Sequence, residues 1–249
     1  MTLAVDAFKK INLTDEEKKK IKNIIFVTET PLYTFPGNAV IFSSILNLNQ
    51  NLNLYDLNAG CTGFVDAIKI ASKIKSQTLI VCSETYSKYF NKFSRSISTI
   101  FSDCASVFLY QKNFKLIDYI SGYEKNSHFC LIGYNKKKLN MNGSKVFNFV
   151  TSRVIPSLEQ FIKKKSIKRV KRIYIHQASK MVIDTFNQKF SNYGFEFPSN
   201  LKKVGNTNAS SIPLLLERDI NKKKIKKGDR IVLCGFGVGL SFSIALIEI

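Results

Sequence analysis

The chain has 249 residues, 45% of them hydrophobic and 12% aromatic, enough to fill one large or two modest cores. Its apolar stretches, such as 231–233 and 244–247, fall far short of the roughly 20 residues a membrane-spanning helix requires. Residues 1–10 lack the basic start, apolar middle and small-residue cleavage site of a secretory signal, so a cytoplasmic protein is expected. Lys and Arg number 38 against 18 Asp and Glu, a net charge of +20. The lysine clusters at 18–20, 136–138, 163–165 and 222–224 are scattered rather than gathered on one stripe, which argues against nucleic acid. A basic field of this kind suits an acidic partner.

Short apolar runs alternate with segments of helical period, the pattern of an α/β fold. In chain order the sequence predicts a helix over 3–10, a strand over 24–28, a helix over 37–46 and a strand over 52–57. A helix over 62–75, a strand over 79–83 and a strand pair near 105–110 and 114–123 follow. The second half repeats the theme with a helix over 145–164, a strand over 172–175, helices over 180–190 and 210–220, and strands over 230–234 and 240–248. The stretch 134–143, with its lysines and Gly143, reads as a linker, dividing the chain into halves 1–134 and 135–249.

Five cysteines at irregular spacing, with no CxxC pair, give neither a disulfide framework nor a metal site. Cys82, Cys104 and Cys234 sit in apolar runs, where a free cysteine packs as a small hydrophobe. Cys61 is placed differently. In Leu54-Tyr-Asp-Leu-Asn-Ala-Gly-Cys61-Thr-Gly-Phe64 an apolar strand ends in small residues, and the thiol falls where a helix begins. Unpaired backbone N–H groups and the positive end of the helix dipole there favour thiolate, and Gly60 and Gly63 admit a substrate close to the backbone. A buried cysteine beside a packing glycine is the structural alternative.

A second stretch, Arg172-Ile-Tyr-Ile-His176-Gln-Ala-Ser179, puts a histidine at the end of an apolar strand just before a helix, where α/β folds collect reactive groups. A capped core histidine is the alternative. The chain's other histidine, His128, lacks such a setting. A third stretch, Lys203-Val-Gly-Asn206-Thr-Asn-Ala-Ser-Ser-Ile-Pro213, forms a tight turn that can aim the Asn206 amide inward, or an ordinary helix cap in which Asn208 or Ser210 bonds the first turn.

Taken together, Ala59-Gly-Cys61-Thr-Gly-Phe64, His176-Gln-Ala178, Gly205-Asn-Thr207 with Ala209-Ser-Ser-Ile-Pro213, and the closing Gly235-Phe-Gly-Val-Gly239 resemble the beta-ketoacyl-acyl-carrier-protein synthase III family. Phe35-Pro36 and Met141-Asn-Gly143 match weaker signposts, and the likeness runs over the whole chain. The resemblance implies a thiolase-like fold of two similar βα halves in αβαβα layers. It implies that Cys61 attacks an acyl thioester and carries the acyl group, and that His176 and Asn206 bind the carbonyl oxygen of a malonyl thioester. Loss of carbon dioxide then leaves an enolate that attacks the acyl-Cys61 carbonyl. The backbone N–H groups of Cys61 and Val238 are implied as an oxyanion hole, and Phe35, Met141, Gly143, Ser179 and Phe236 as substrate-binding residues. Phe35 would reach across a homodimer interface to the partner's acyl pocket. The substrates implied are coenzyme A or phosphopantetheine thioesters, the partner an acidic acyl-carrier protein, with no metal and no permanently bound cofactor.

The chain departs from the family pattern in places. Family members carry about fifty residues ahead of the segment matching 3–10, at a typical 3 to 6 residues per strand and loop, holding an opening strand, a helix and contacts to the coenzyme A nucleotide. An N-terminally shortened match is therefore expected. Ser179 stands in place of the usual Asn and Val238 in place of a Gly, and Met181 replaces a basic residue whose docking role falls to Lys180, Lys202 or Lys203. Two other readings stay open. The same Cys61 and His176 would serve acyl transfer to a hydroxyl or amine, with His176 as general base. A catalytically silent thiolase-fold partner subunit is the other.

Overall fold

A computed structural model of the protein describes residues 1–74, 76–90, 95–111, 114–134, 138–164 and 170–249. It opens with α1 (Thr2–Lys10), which buries Ala4 and Phe8 one turn apart. Next comes α2 (Asp15–Lys20), six polar residues held by a capping box between Thr14 and Glu17. The remaining elements of the first half are β1 (Asn23–Val27), α3 (Asn38–Ile45), β2 (Asn53–Leu57), α4 (Gly63–Lys73), β3 (Thr78–Glu84), α5 (Arg95–Ser98), β4 (Cys104–Tyr110) and β5 (Lys115–Tyr123). The second half holds β6 (Leu131–Tyr134), β7 (Lys138–Met141), α6 (Gly143–Phe149), α7 (Ile155–Lys163), β8 (Val170–Ile175), α8 (Lys180–Lys189), α9 (Leu201–Val204), α10 (Ser211–Asn221), β9 (Arg230–Gly237) and β10 (Ser241–Glu248).

Two four-stranded sheets result, in the orders β2-β1-β3-β4 and β5-β10-β9-β8. In β1, Ile25 and Val27 face the space between the sheets while Ile24 and Phe26 face α1 and α3. β9 divides likewise, with Ile231 and Leu233 inward and Val232, Cys234 and Phe236 toward α6, α7 and α8. Strands buried on both faces read as continuous apolar runs, which is why these two were legible without alternation. α4 and α10 fill the middle layer through Phe64, Ile68, Ile212 and Leu216, giving five layers of helix, sheet, helix, sheet and helix.

Three expectations change. The segments near 105–110 and 114–123 are strands but not a pair: β4 joins β3, and β5 joins β10 in the other sheet. So β5, on the N-terminal side of the expected division at 134/135, belongs to the second sheet. The expected linker is largely an antiparallel hairpin of β6 and β7, while residues 135–137 within it lie outside the described residues. The helix expected over 145–164 is interrupted by a π-helical turn at Val150–Val154, just ahead of Pro156. Proline has no N–H for the regular ladder, and the wider turn absorbs the gap.

A buried ionic knot fastens β8 to α10, the two elements that flank the site described below. The fully buried Asp219 carboxylate accepts hydrogen bonds from Arg172 Nη1, the Tyr174 hydroxyl and Arg218 Nε, each at 3.0 Å. Arg172 also pairs with Glu196. Asp219→Ala leaves the buried Arg172 guanidinium with only the largely exposed Glu196 as partner and strands the Tyr174 hydroxyl, so the stability read from urea denaturation falls by roughly 3 kcal/mol. A loss near zero would show that the knot does not hold these elements together.

Candidate active site

Cys61 occupies a single 3-10 turn, Gly60–Thr62, between β2 and α4, and is 4% exposed. The end of β9 presses on it from the other half of the chain. A Cβ on Gly237 would lie 2.7 Å from Cys61 Sγ, and one on Gly235 would lie 2.7 Å from the Cys61 carbonyl oxygen, so both positions exclude any side chain. The N–H groups of Val238 and of Cys61 itself reach the sulfur. The two main-chain donors expected to form an oxyanion hole therefore converge on one atom.

Asn208 links the sulfur to the other two expected catalytic residues. The Cys61 thiol donates to Asn208 Oδ1 at 2.8 Å, and the Asn208 N–H donates to Asn206 Oδ1 at 2.9 Å. The Asn208 main chain also hydrogen-bonds the His176 imidazole. Asn208 does this with φ +54°, a left-handed conformation that asparagine tolerates better than most residues. Asn206 is clamped from both sides: its N–H donates to Ile100 O, and its own carbonyl accepts from Ser102 N–H. One amide hydrogen of Asn206 Nδ2 meets Ala178 O at 3.4 Å, which leaves the second for a ligand.

His176 directly follows β8 and is 2% exposed. Its Nδ1 pairs with Ser211 Oγ, the first residue of α10, at 2.9 Å, and its ring meets Phe236 edge to face at 5.5 Å. Burial pulls its pKa down to about 3, with the Asn208 main chain acting weakly in the other direction. Gln177 beside it is fully buried and locked to Ile175 O and Ser199 Oγ.

Next to the sulfur lies a pair of carboxyl groups that the sequence reading did not single out. Glu29, partly buried just beyond β1, accepts on Oε2 from the Tyr86 hydroxyl and from Asn208 Nδ2. Glu84, fully buried, accepts from Thr28 Oγ1, Thr30 Oγ1 and the Glu29 N–H. Desolvation pushes both pKa values up, and for Glu84 the neighbouring Glu29 carboxyl adds to it. The thiol is also raised well above its usual range, first by burial and then by Glu29, against the two backbone N–H groups. This reverses the expected thiolate: the dipole and amides at the turn are outweighed by loss of water. Helix-terminus position was visible in the sequence, whereas burial was not.

The remaining expected residues spread out. Phe236 touches His176, but Met141 ends β7 and packs on the outer core of the second sheet. Gly143 starts α6 in the open, and Ser179 caps α8 by accepting from Val182 N–H at 3.3 Å. Phe35 is 82% exposed in the loop between β1 and α3. His128, with no evident setting in the sequence, lines a cavity together with Glu29, Tyr86, Leu131, Leu139 and Val238. An acid between two threonines at a strand end was the available signal for Glu29. Among the described residues no group of three or more His, Cys, Asp or Glu is arranged to hold a metal, and no helix is long and apolar enough to cross a membrane.

Two interlocked sheets around a middle helical layer, with a cysteine, a histidine and an asparagine meeting at their junction, define the thiolase-fold class. Residues 55–121 match the family model described as 3-oxoacyl-[acyl-carrier-protein (ACP)] synthase III, and residues 163–249 match that of its C terminal. The chain is 32% identical to the beta-ketoacyl-[acyl-carrier-protein] synthase III of Clostridium perfringens strain SM101, covering 99% of this chain and 84% of that one. The solved synthase III of Thermus thermophilus superposes with a TM-score of 0.89 at 24% identity, over 99% of this chain and 83% of that one. That of Aquifex aeolicus gives 0.86 at 25%, over 99% and 82%. The chain belongs to the 3-oxoacyl-acyl-carrier-protein synthase III family.

The depressed His176 pKa makes a signed prediction. The unfolded chain takes up a proton below about pH 6.5 that the folded chain refuses until about pH 3, so His176 costs stability as pH falls through that window. Between pH 7 and pH 5 this amounts to about 2 kcal/mol. Glu29 and Glu84 act with the opposite sign, because stability present below their unfolded values is lost as pH rises through their raised folded ones. Urea denaturation at both pH values should show a smaller acid loss in His176→Asn than in wild type by that amount. Parallel pH profiles would mean that the imidazole is not held neutral.

Proposed function

We propose that this chain catalyses decarboxylative condensation of an acyl thioester with a malonyl thioester through an acyl group carried on Cys61. The observation that carries this reading is Asn208, which joins the Cys61 thiol, the Asn206 amide and the His176 imidazole in one hydrogen-bonded array. In the first step Cys61 Sγ bonds to the acyl carbon, the donor's carbon–sulfur bond breaks, and the thiol proton leaves with the departing thiol. In the second, the malonyl carbon–carbon bond breaks to give carbon dioxide and an enolate. His176 and Asn206, neutral donors, stabilise its oxygen where charge develops. The enolate carbon then attacks the thioester on Cys61, the Cys61 and Val238 N–H groups hold the tetrahedral oxyanion, and the sulfur is expelled to leave a 3-oxoacyl thioester.

The state of His176 favours this over transfer to a hydroxyl or amine. An imidazole whose pKa is about 3 is a feeble general base but a sound neutral hydrogen-bond donor. A silent partner subunit would not need the glycines that clear the approach of β9 to the sulfur. Coenzyme A or phosphopantetheine thioesters are the substrates of this reading, in the cytoplasm, within fatty-acid or related biosynthesis. An acidic carrier protein is drawn by the net charge of +20 and by exposed Lys180, Lys202 and Lys203, close in sequence to His176 and Asn206.

A homodimer belongs to the same reading. Phe35, Tyr33, Val40, Ile45 and Tyr55 are all exposed around α3 and the free edge of β2, an apolar surface of the kind a two-fold partner covers. Phe35→Asp should convert a wild-type dimer to monomer in sedimentation velocity runs; a wild-type monomer, or a dimer indifferent to the change, removes this interface.

Asn206→Ala should lower carbon dioxide release from malonyl thioesters by roughly a hundredfold to a thousandfold. Cys61 should still gain the mass of an acyl group in the same variant. Undiminished release would take Asn206 out of the mechanism, and absence of any adduct on wild-type Cys61 would end the acyl-enzyme reading.

A further inference from the structure

A cavity whose lining includes Glu29 and Val238, both neighbours of the Cys61 sulfur, has unusual walls for a hydrocarbon tail. Its volume is about 240 Å³, small enough to favour a short acyl group over a long one. Leu131, Leu139 and Val238 make part of the lining apolar, but Glu29, Tyr86 and His128 add a carboxyl, a phenol and an imidazole. Glu29 is the member tied most closely to the nucleophile. Its carboxyl lies 2.5 Å from where a Cβ on Gly60 would stand, one residue from Cys61, and Asn208 bridges it to the sulfur.

The hydrogen bonding of this carboxyl is lopsided. The Tyr86 hydroxyl and Asn208 Nδ2 both arrive at Oε2, so Oε1 keeps acceptor capacity for a ligand in the cavity. Burial also holds the group toward its neutral form, which adds a donor. A saturated tail in this space would strip water from the carboxyl and return no hydrogen bond, the costly half of a hydrogen-bond exchange. A hydroxyl on the acyl chain returns one. Sites built to hydrogen-bond a substrate group reject the analogue that lacks it far more strongly than apolar pockets reject an extra methylene.

Building on the acyl-Cys61 reading above, we propose that Glu29 is a specificity-determining residue that selects short acyl groups bearing a hydroxyl, which hydrogen-bonds the Glu29 carboxyl from within the cavity. The loading step is a thioester exchange that conserves the hydroxyl: the acyl carbon moves from the donor sulfur to Cys61, and the donor leaves as a free thiol.

The test compares butyryl and 3-hydroxybutyryl thioesters, each as the coenzyme A and the simple pantetheine form, so that nucleotide binding does not bias the ratio. Intact-protein mass against time gives the rate of Cys61 loading, and steady-state assays with malonyl-carrier protein give kcat/KM. Wild type should prefer the hydroxylated acyl group by on the order of tenfold or more. Glu29→Val should bring the two within about twofold, and Glu29→Gln, which keeps the shape and a hydrogen-bonding group, should retain part of the preference. Equal or faster loading of butyryl by wild type overturns the proposal, as does an undiminished preference in Glu29→Val. Should the valine variant fail to fold by circular dichroism, the wild-type ratio decides alone. If no thioester, acetyl included, ever loads Cys61, the acyl-enzyme reading falls as well, an outcome distinct from loading without the preference.

Discussion

One hydrogen bond organises this molecule's chemistry: the Cys61 thiol held by the side chain of Asn208. The two residues come from opposite halves of the chain, and the contact exists only because the turn after Asn206 runs left-handed at Asn208. That same residue presents its N–H to Asn206 and its main chain to His176. The ionic knot at Asp219 and the Ser211–His176 pair fix α10 against β8, so the turn between α9 and α10 is delivered to the sulfur by rigid neighbours. Preorganisation of this kind lets weak individual contacts set geometry closely.

The electrostatics follow from exclusion of water. Thiol, imidazole and two carboxyls crowd one region, and each is shifted toward its uncharged form, with desolvation the leading cause in all four. Such a site is poor at taking protons and well suited to placing neutral donors around an oxygen that gains charge during reaction. The surface is the opposite: a net charge of +20 gives the molecule a positive field outside and a nearly uncharged site within.

Much of this was legible in the sequence, for identifiable reasons. β1, β3 and β9 announced themselves as unbroken apolar runs, and Cys61, His176 and Asn206 each sit where an element ends in small or polar residues. Pairing was harder, because it is non-local: nothing near 105–123 tells that β4 and β5 leave for different sheets. The six polar residues of α2 carry no apolar period, although Thr14 and Glu17 form its capping box. The β6 and β7 hairpin is short, and the lysines at 136–138 together with Gly143 made it read as a linker. Glu29 and Asn208 were passed over because an acid between threonines reads as a solvated strand end and an asparagine before a helix reads as a cap. Their role depends on what the other half of the chain brings to them.

The approach of β9 to Cys61 has a consequence for how the protein comes into being. The sulfur's cover, its second backbone donor and its asparagine partner are all made long after the cysteine itself as the chain leaves the ribosome. Until then the nascent thiol has ordinary cysteine surroundings, open to oxidation or stray alkylation. Completion of β9 is thus the moment at which a vulnerable side chain becomes a sheltered one, and the assembled site exists only after it.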